Sequence, residues 1–210
     1  MTIQERILIL VFLFQGCSSA PKKNLVLSGS AILMETKIQT KDLKKADTPQ
    51  TANLEIILLP NQAIRMEVTA LFGYQVASVV LTPQKIQYAL HGSKEYVQGP
   101  FLAKTLFPVF KQNIDPRLLW KIIHGINPES AELKCQKDSM GKPISCNSSS
   151  NKTSTTVAWF YEEDGKKRIE IKNSKFEMIW IFKKQSPLEA LQNETFVLKK
   201  PEDYKEIILK

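Results

Sequence analysis

The sequence predicts a mainly β domain of the α+β class, a meander of antiparallel hairpins with two helices inserted near its middle. Three observations predict it. Most segments from Leu25 onward are rich in β-branched and aromatic residues and break at Gly, Pro or Asn. Helical signals gather in one central stretch, residues 100–125. A late segment, "FEMIWIF", sets Phe176, Met178, Trp180 and Phe182 on one face and Glu177, Ile179 and Ile181 on the other. A sheet that curls around helices needs such a bulky face for its core, and the same face would serve to line a cavity for acyl chains.

In chain order, strands are expected at Leu25–Thr40, Ala52–Pro60, Ala63–Ala70, Tyr74–Thr82, Lys85–Leu90 and Tyr96–Gln98, with short connections. Helices are expected at Pro100–Phe110 and Asp115–Gly125. The second is the clearer, with Asp115 as its cap, Pro116 at the first helical position and Gly125 at the stop. Leu118, Leu119, Ile122 and Ile123 form its apolar stripe, with Trp120 beside it. Strands return at Ala131–Gln136, Ser154–Tyr161, Arg168–Lys172, Phe176–Lys183, Thr195–Leu198 and Lys205–Leu209. A short helix, "SPLEALQN", capped by Ser186 and opened by Pro187, is expected before the last pair. The run "NSSSNKTS" reads as a polar loop, and no internal repeat stands out.

The chain opens with "MTIQER", eight unbroken apolar residues from Ile7 to Phe14, and the small residue Gly16. That is a secretory signal in outline, residues 1–16. The apolar run is far short of the roughly 20 residues a helix needs to span a bilayer core. Cys17 directly after Gly16 resembles the lipobox of bacterial lipoproteins, although Phe14 and Gln15 stand where that motif has leucine and a small residue. The resemblance implies that the Cys17 thiol is diacylated, the leader cut and the new amine acylated. Three acyl chains anchor stably where one is marginal. Ser18 in the following position is permissive for the outer membrane under the enteric sorting rule. The alternative is a secreted protein whose leader contains a cysteine. Residues 17–24, small, polar and basic, read as the lipidated cysteine and a tether, and residues 25–210 as one domain.

The 210 residues carry 29 Lys and Arg against 21 Asp and Glu, a formal +8 that removal of the leader, with Arg6 and Glu5, does not change. Export excludes nucleic acid as a partner, and no nucleic-acid-binding motif is present. The positive balance fits a solvated lysine-rich surface or attraction to anionic lipid headgroups. Cys135 and Cys146 flank the turn-rich stretch "QKDSMGKPIS", and an oxidising compartment makes a disulfide stapling this hairpin their expected state.

No catalytic signature, metal-binding motif or phosphate-binding loop emerges, so no cofactor and no enzyme activity are expected. His91 reads as a turn residue and His124 as a cation suited to a helix C-terminus. One stretch resists a bland reading. In "RMEVTALFGYQVASVVLTP" two strands flank Leu71, Phe72 and Gly73, where Asn-Gly or Asp-Gly would be ordinary. Either another part of the chain covers this apolar tip or the tip inserts into a membrane or greasy ligand.

A lipobox, a tether, "IRMEVTALFGYQVASVVLTPQKIQYAL", a Tyr-x-x-Gly element at Tyr96–Gly99, central helices and a closing strand before "LKKP" together resemble the LolB-like lipoproteins and related LolA/LolB-fold domains. Arg65 matches the basic residue that opens a strand in that pattern, and Phe72-Gly73 the apolar residue before glycine in its hairpin. The resemblance implies an incomplete antiparallel β-barrel closed by a helical lid around an apolar cavity for lipoprotein acyl chains. It implies that Phe72, with Leu71 beside it, helps deliver lipoproteins to the outer membrane. Partners would be acyl chains of lipoproteins or lipids, the membrane itself and a LolA-like periplasmic carrier. Candidate cavity residues are Val68, Val76, Val79, Leu106, Leu119, Ile122, Met178 and Trp180, each of which could equally be plain core. The rival expectation is a structural or assembly lipoprotein that uses the fold as an interaction module in an envelope complex; an envelope hydrolase is a distant third.

Overall fold

A computed structural model of the protein describes residues 30–45, 48–102, 105–130, 132–148, 154–163, 166–192 and 194–210. Six strands come first: β1 (Ala31–Asp42), β2 (Gln50–Leu59), β3 (Ala63–Ala70), β4 (Gln75–Leu81), β5 (Ile86–Leu90) and β6 (Glu95–Gly99). Two short helices follow, α1 (Phe107–Phe110) and α2 (Pro116–Ile123). The chain returns as β7 (Leu133–Lys137), β8 (Pro143–Ser148), β9 (Thr156–Tyr161), β10 (Lys167–Lys172), β11 (Phe176–Leu188) and β12 (Lys205–Ile208).

The strands join in one curved open sheet, ordered β12-β6-β5-β4-β3-β2-β1-β11-β10-β9-β8-β7. Every pairing is antiparallel except that of β12 with β6. The two meanders meet where β1 pairs along its length with β11, from Ala31 opposite Leu188 to Asp42 opposite Phe176. β12 runs so close to β6 that a Cβ on Gly99 would lie 2.5 Å from that of Leu209, which accounts for glycine there.

Strand alternation sends one row of side chains into the hollow of the sheet. Met34, Ile56, Met66, Val79, Met178 and Trp180 belong to one continuous core with residues of both helices, Val109, Phe110, Leu119, Ile122 and Ile123. The expected bulky row is in place, with Phe176, Met178, Trp180 and Phe182 all buried. The buried indole has its partner: Trp180 Nε1 donates to Thr36 Oγ1 at 2.8 Å. α2 forms as expected, its Asp115 cap accepting from the Arg117 backbone N–H at 2.9 Å.

Four expectations need correction. The "SPLEALQN" stretch does not open a helix, because Ser186 and Pro187 continue β11 opposite Leu33 and Ile32. Pro187 is tolerated because β10 pairs with β11 only as far as Phe182, leaving that side of the later residues as an open edge. Thr195–Leu198 is not a strand. It crosses the outer face of the sheet, where Leu198 packs with Val80, Ala89 and Tyr96 and so buries its apolar residue without pairing. Of the expected helix Pro100–Phe110, only Phe107–Phe110 is helical among the described residues. His124 is no cation suited to a dipole: burial lowers its pKa, against the bonds it makes to backbone, its Nδ1 lying 2.9 Å from the Trp120 carbonyl. β8, within the stretch that reads as turn and loop, is an additional strand.

Candidate functional site

The strand register sorts the connections onto two rims. Ala70 stands opposite Ala52, Thr40 opposite Gln50, and Asp42 opposite Phe176. The β3–β4 tip, the β1–β2 connection and the β10–β11 turn therefore share one rim. The β2–β3 and β4–β5 turns lie on the other, together with the start of β1.

The tip is a tight turn closed by the Ala70 N–H donating to the Tyr74 carbonyl at 2.8 Å. Leu71, Phe72 and Gly73 make the turn, with Phe72 at φ 73° and Gly73 at φ 81°, both in the left-handed region. Glycine adopts that region freely, whereas for phenylalanine it costs about 1–2 kcal/mol. Nothing in the described protein covers the result: Leu71 is 55% exposed, Phe72 96% and Tyr74 75%. The expectation that a helix or loop hides the tip is thus excluded among the described residues.

A polar network braces the base of this hairpin on the outer face. Arg65 donates through Nε to Glu67 Oε1 at 2.8 Å and through Nη1 to the Thr195 carbonyl at 2.9 Å. Glu67 Oε2 also accepts from Gln75 Nε2 at 2.7 Å and from the Ser78 hydroxyl. Ser78 Oγ lies 3.1 Å from His91 Nε2, and His91 Nδ1 lies 2.8 Å from the Tyr204 hydroxyl. The serine and histidine are not arranged for nucleophilic chemistry. Ser78 is only 4% exposed and its hydroxyl donates a hydrogen bond to the Glu67 carboxylate, which directs the hydroxyl proton away from the imidazole. His91 is a turn residue, as expected, and it also ties the hairpin to the C-terminal segment. Only the fold brings Glu67, Ser78, His91 and Tyr204 together; a lone histidine before glycine carried no such signal.

Next to the tip along the same rim opens a depression of about 650 Å³. Lys44, Lys45, Lys111 and Lys175 surround it, with Thr40, Gln50, Gln112, Asn113, Thr155 and Asn173 between them and Phe107 and Phe176 as apolar surface. A second open depression of about 580 Å³ adjoins it through Asn113, Asp115, Thr155, Asn173 and Phe176. Burial works against ionised Asp115, but the hydrogen bonds and charge of Arg117 win and hold its carboxyl below the usual range.

The eight candidate cavity residues sit in the hollow. Val68, Val79, Leu106, Leu119, Ile122, Met178 and Trp180 are buried in the continuous core, and Val76 packs against it half-exposed. None lines either open depression. Lys167 shares the hollow, its Nζ 4.2 Å from the Phe182 ring centre, and burial lowers its pKa. Cys135 and Cys146 stand directly opposite each other on β7 and β8 and are bonded, stapling that hairpin as expected. Cys17 lies outside the described residues. No group of three or more His, Cys, Asp or Glu suited to a metal occurs among the described residues, and no helix among them is long and apolar enough to cross a membrane.

A structure described as an outer membrane lipoprotein-sorting protein domain from Vibrio parahaemolyticus superimposes with a TM-score of 0.50 at 8% identity, over 80% of this chain and 89% of that one. The fold, a curved open half-barrel, is shared with that domain. A LolA superfamily protein from Nitrosomonas europaea is similar over 81% of this chain and 90% of that one, with a TM-score of 0.42 and 10% identity. A conserved protein from Thermus thermophilus matches over 89% and 93%, with a TM-score of 0.45 and 12% identity. No protein-family model matches the sequence, and no curated protein does.

Proposed function

We propose that the chain is a lipoprotein anchored in the outer membrane through Cys17, with its domain facing the periplasm, whose half-barrel takes acyl chains of lipoproteins or lipids. The Leu71–Phe72 tip enters the membrane during their delivery, after a LolA-like periplasmic carrier has brought them. The observation that carries this reading is Phe72, an aromatic side chain almost fully in water and held in a left-handed turn that costs it stability. Seating one such side chain in lipid returns about 1.5–3 kcal/mol.

The closed interior fits a lid that yields to its cargo. Seven buried apolar side chains, Leu106, Val109, Phe110, Ile114, Leu119, Ile122 and Ile123, fasten the helical segment to the sheet. At about 1.5–3 kcal/mol each, displacing them costs roughly 10–21 kcal/mol. A 16-carbon acyl chain returns about 12 kcal/mol at 0.8 kcal/mol per methylene. Exchange of lid contacts for an acyl chain is therefore close to balanced, as a carrier that must also release its cargo requires.

The tether length matters to this reading. β1, twelve residues long, starts on the rim opposite the tip, so the chain enters the domain about 40 Å from it. Residues 18–30 reach at most about 45–50 Å when extended. The tip can then meet the membrane that holds Cys17 only with the tether nearly taut. Deleting residues 18–24 should leave anchoring intact and abolish delivery.

A second reading is favoured by one observation, the close packing of Trp180, Met178 and Leu119, all fully buried against protein side chains. Under it the fold is an interaction module of an envelope complex, and the tip seats in a protein partner. Lipoprotein delivery in cells separates the two. Phe72→Glu should block it, and unchanged delivery would remove the tip from the mechanism. Cys17→Ala should release the protein to the periplasm; continued membrane attachment would contradict the lipid anchor.

A further inference from the structure

We propose that the lysine-ringed depression beside the tip is a docking site for the phosphate groups of an anionic lipid surface. The proposal rests on the reading that this rim faces a membrane, and adds to it the kind of membrane. Lys44, Lys45, Lys111 and Lys175 come from three separate parts of the chain: the β1–β2 connection, the end of α1 and the β10–β11 turn. All four are exposed, and none has a carboxylate ion-pair partner among the described residues.

Two acids also line the depression: Asp42, whose Oδ1 accepts from the Lys44 backbone N–H at 2.9 Å and keeps its charge, and Asp115, paired with Arg117 at 2.6 Å. Four lysines against these two carboxylates leave the depression positive for an outside anion, while Thr40, Gln50, Asn113 and Asn173 offer hydrogen bonds between them. Phe107, 46% exposed on the same depression, gives the acyl side of a lipid an apolar contact. Charge and apolar surface on one rim match a lipid interface, where ammonium groups meet phosphate and the aromatic tip passes below it.

The test uses the full chain carrying Cys17→Ala, so that no acyl anchor contributes, with phosphatidylcholine vesicles with and without phosphatidylglycerol at physiological ionic strength. Lys44, Lys45, Lys111 and Lys175 changed together to Gln should weaken binding to the anionic vesicles on the order of 100-fold, each lysine being worth up to about fivefold. Binding to phosphatidylcholine should not change. A control with the same charge removed elsewhere, Lys85, Lys137, Lys142 and Lys210 to Gln, should lose less than about threefold, because charges beyond a Debye length of about 8 Å are screened.

Equal loss in the rim variant and the control, or no preference of the parent for anionic vesicles, would overturn the proposal. So would displacement from anionic vesicles by inorganic phosphate at matched ionic strength, which would make the site one for free phosphate. Phe72→Glu separates this from the tip reading: it should weaken binding to both kinds of vesicle, whereas the lysine variant acts on the anionic kind alone. Melting curves of each variant, all at exposed positions, confirm that the fold is kept.

Discussion

Two neighbouring hairpin turns of the same meander face the same backbone demand and answer it differently. The β2–β3 turn places Asn61 at φ 58°, and the β3–β4 tip places Phe72 at φ 73°. Asparagine is among the residues that tolerate this region, its short amide bonding locally. Phenylalanine has no such compensation, and here it also leaves its ring in water. The first turn is built for folding alone. The second gives up local stability for an apolar projection, as functional segments do when the surrounding structure holds them in place.

The contrast can be broken at several points. The largest effect belongs to the interior: Trp180→Ala should cost about 3–5 kcal/mol in denaturant unfolding, removing a fully buried ring and the bond to Thr36. Phe72→Ala should stay within about 0.5 kcal/mol in the same assay, since the tip supports nothing beneath it. Next, Phe72→Glu should weaken vesicle binding by about 10- to 100-fold, the loss of one seated aromatic, with the unfolding midpoint unmoved. Exchanging the two solutions tests the turn argument itself. Asn61→Phe should destabilise by about 1 kcal/mol and Phe72→Asn stabilise by up to a similar amount, both read from unfolding curves. Equal and negligible shifts would show that the backbone does not distinguish the residues.

The smallest effect is a pH dependence. Burial lowers the folded pKa of His124, so between that value and the ordinary value near 6.5 the unfolded chain binds more protons. Its contribution is present above about pH 6.5 and is lost as pH falls through that window. Melting temperatures of the parent should drop faster than those of His124→Phe as pH is lowered from 7 to 5; parallel curves would remove His124 from the titration.

Much of the fold was legible because its signals are local. The alternation in "FEMIWIF" marked the inward row, and Asp115, Pro116 and Gly125 marked the ends of α2. What escaped depends on neighbours. Ser186 and Pro187 have the composition of a helix start, and only the free edge beyond Phe182 lets them extend a strand. Thr195–Leu198 has strand composition but satisfies it by lying across the outer face. At the site, the apolar tip was readable because Leu71-Phe72 occupies a place where turn residues belong. The Glu67–Ser78–His91–Tyr204 network and the four rim lysines were not, because their members are far apart in sequence and meet only through sheet register and topology.

The claim that the half-barrel takes acyl chains is tested most directly by native mass spectrometry with lipid extraction, on protein carrying Cys17→Ala and purified from a periplasm. The account predicts co-purified acylated species, or uptake of an added acylated peptide, lost when Leu119 is changed to Glu in a variant that still melts cooperatively. Protein that is empty as purified and refuses the acylated peptide would contradict it and leave the fold as an interaction module.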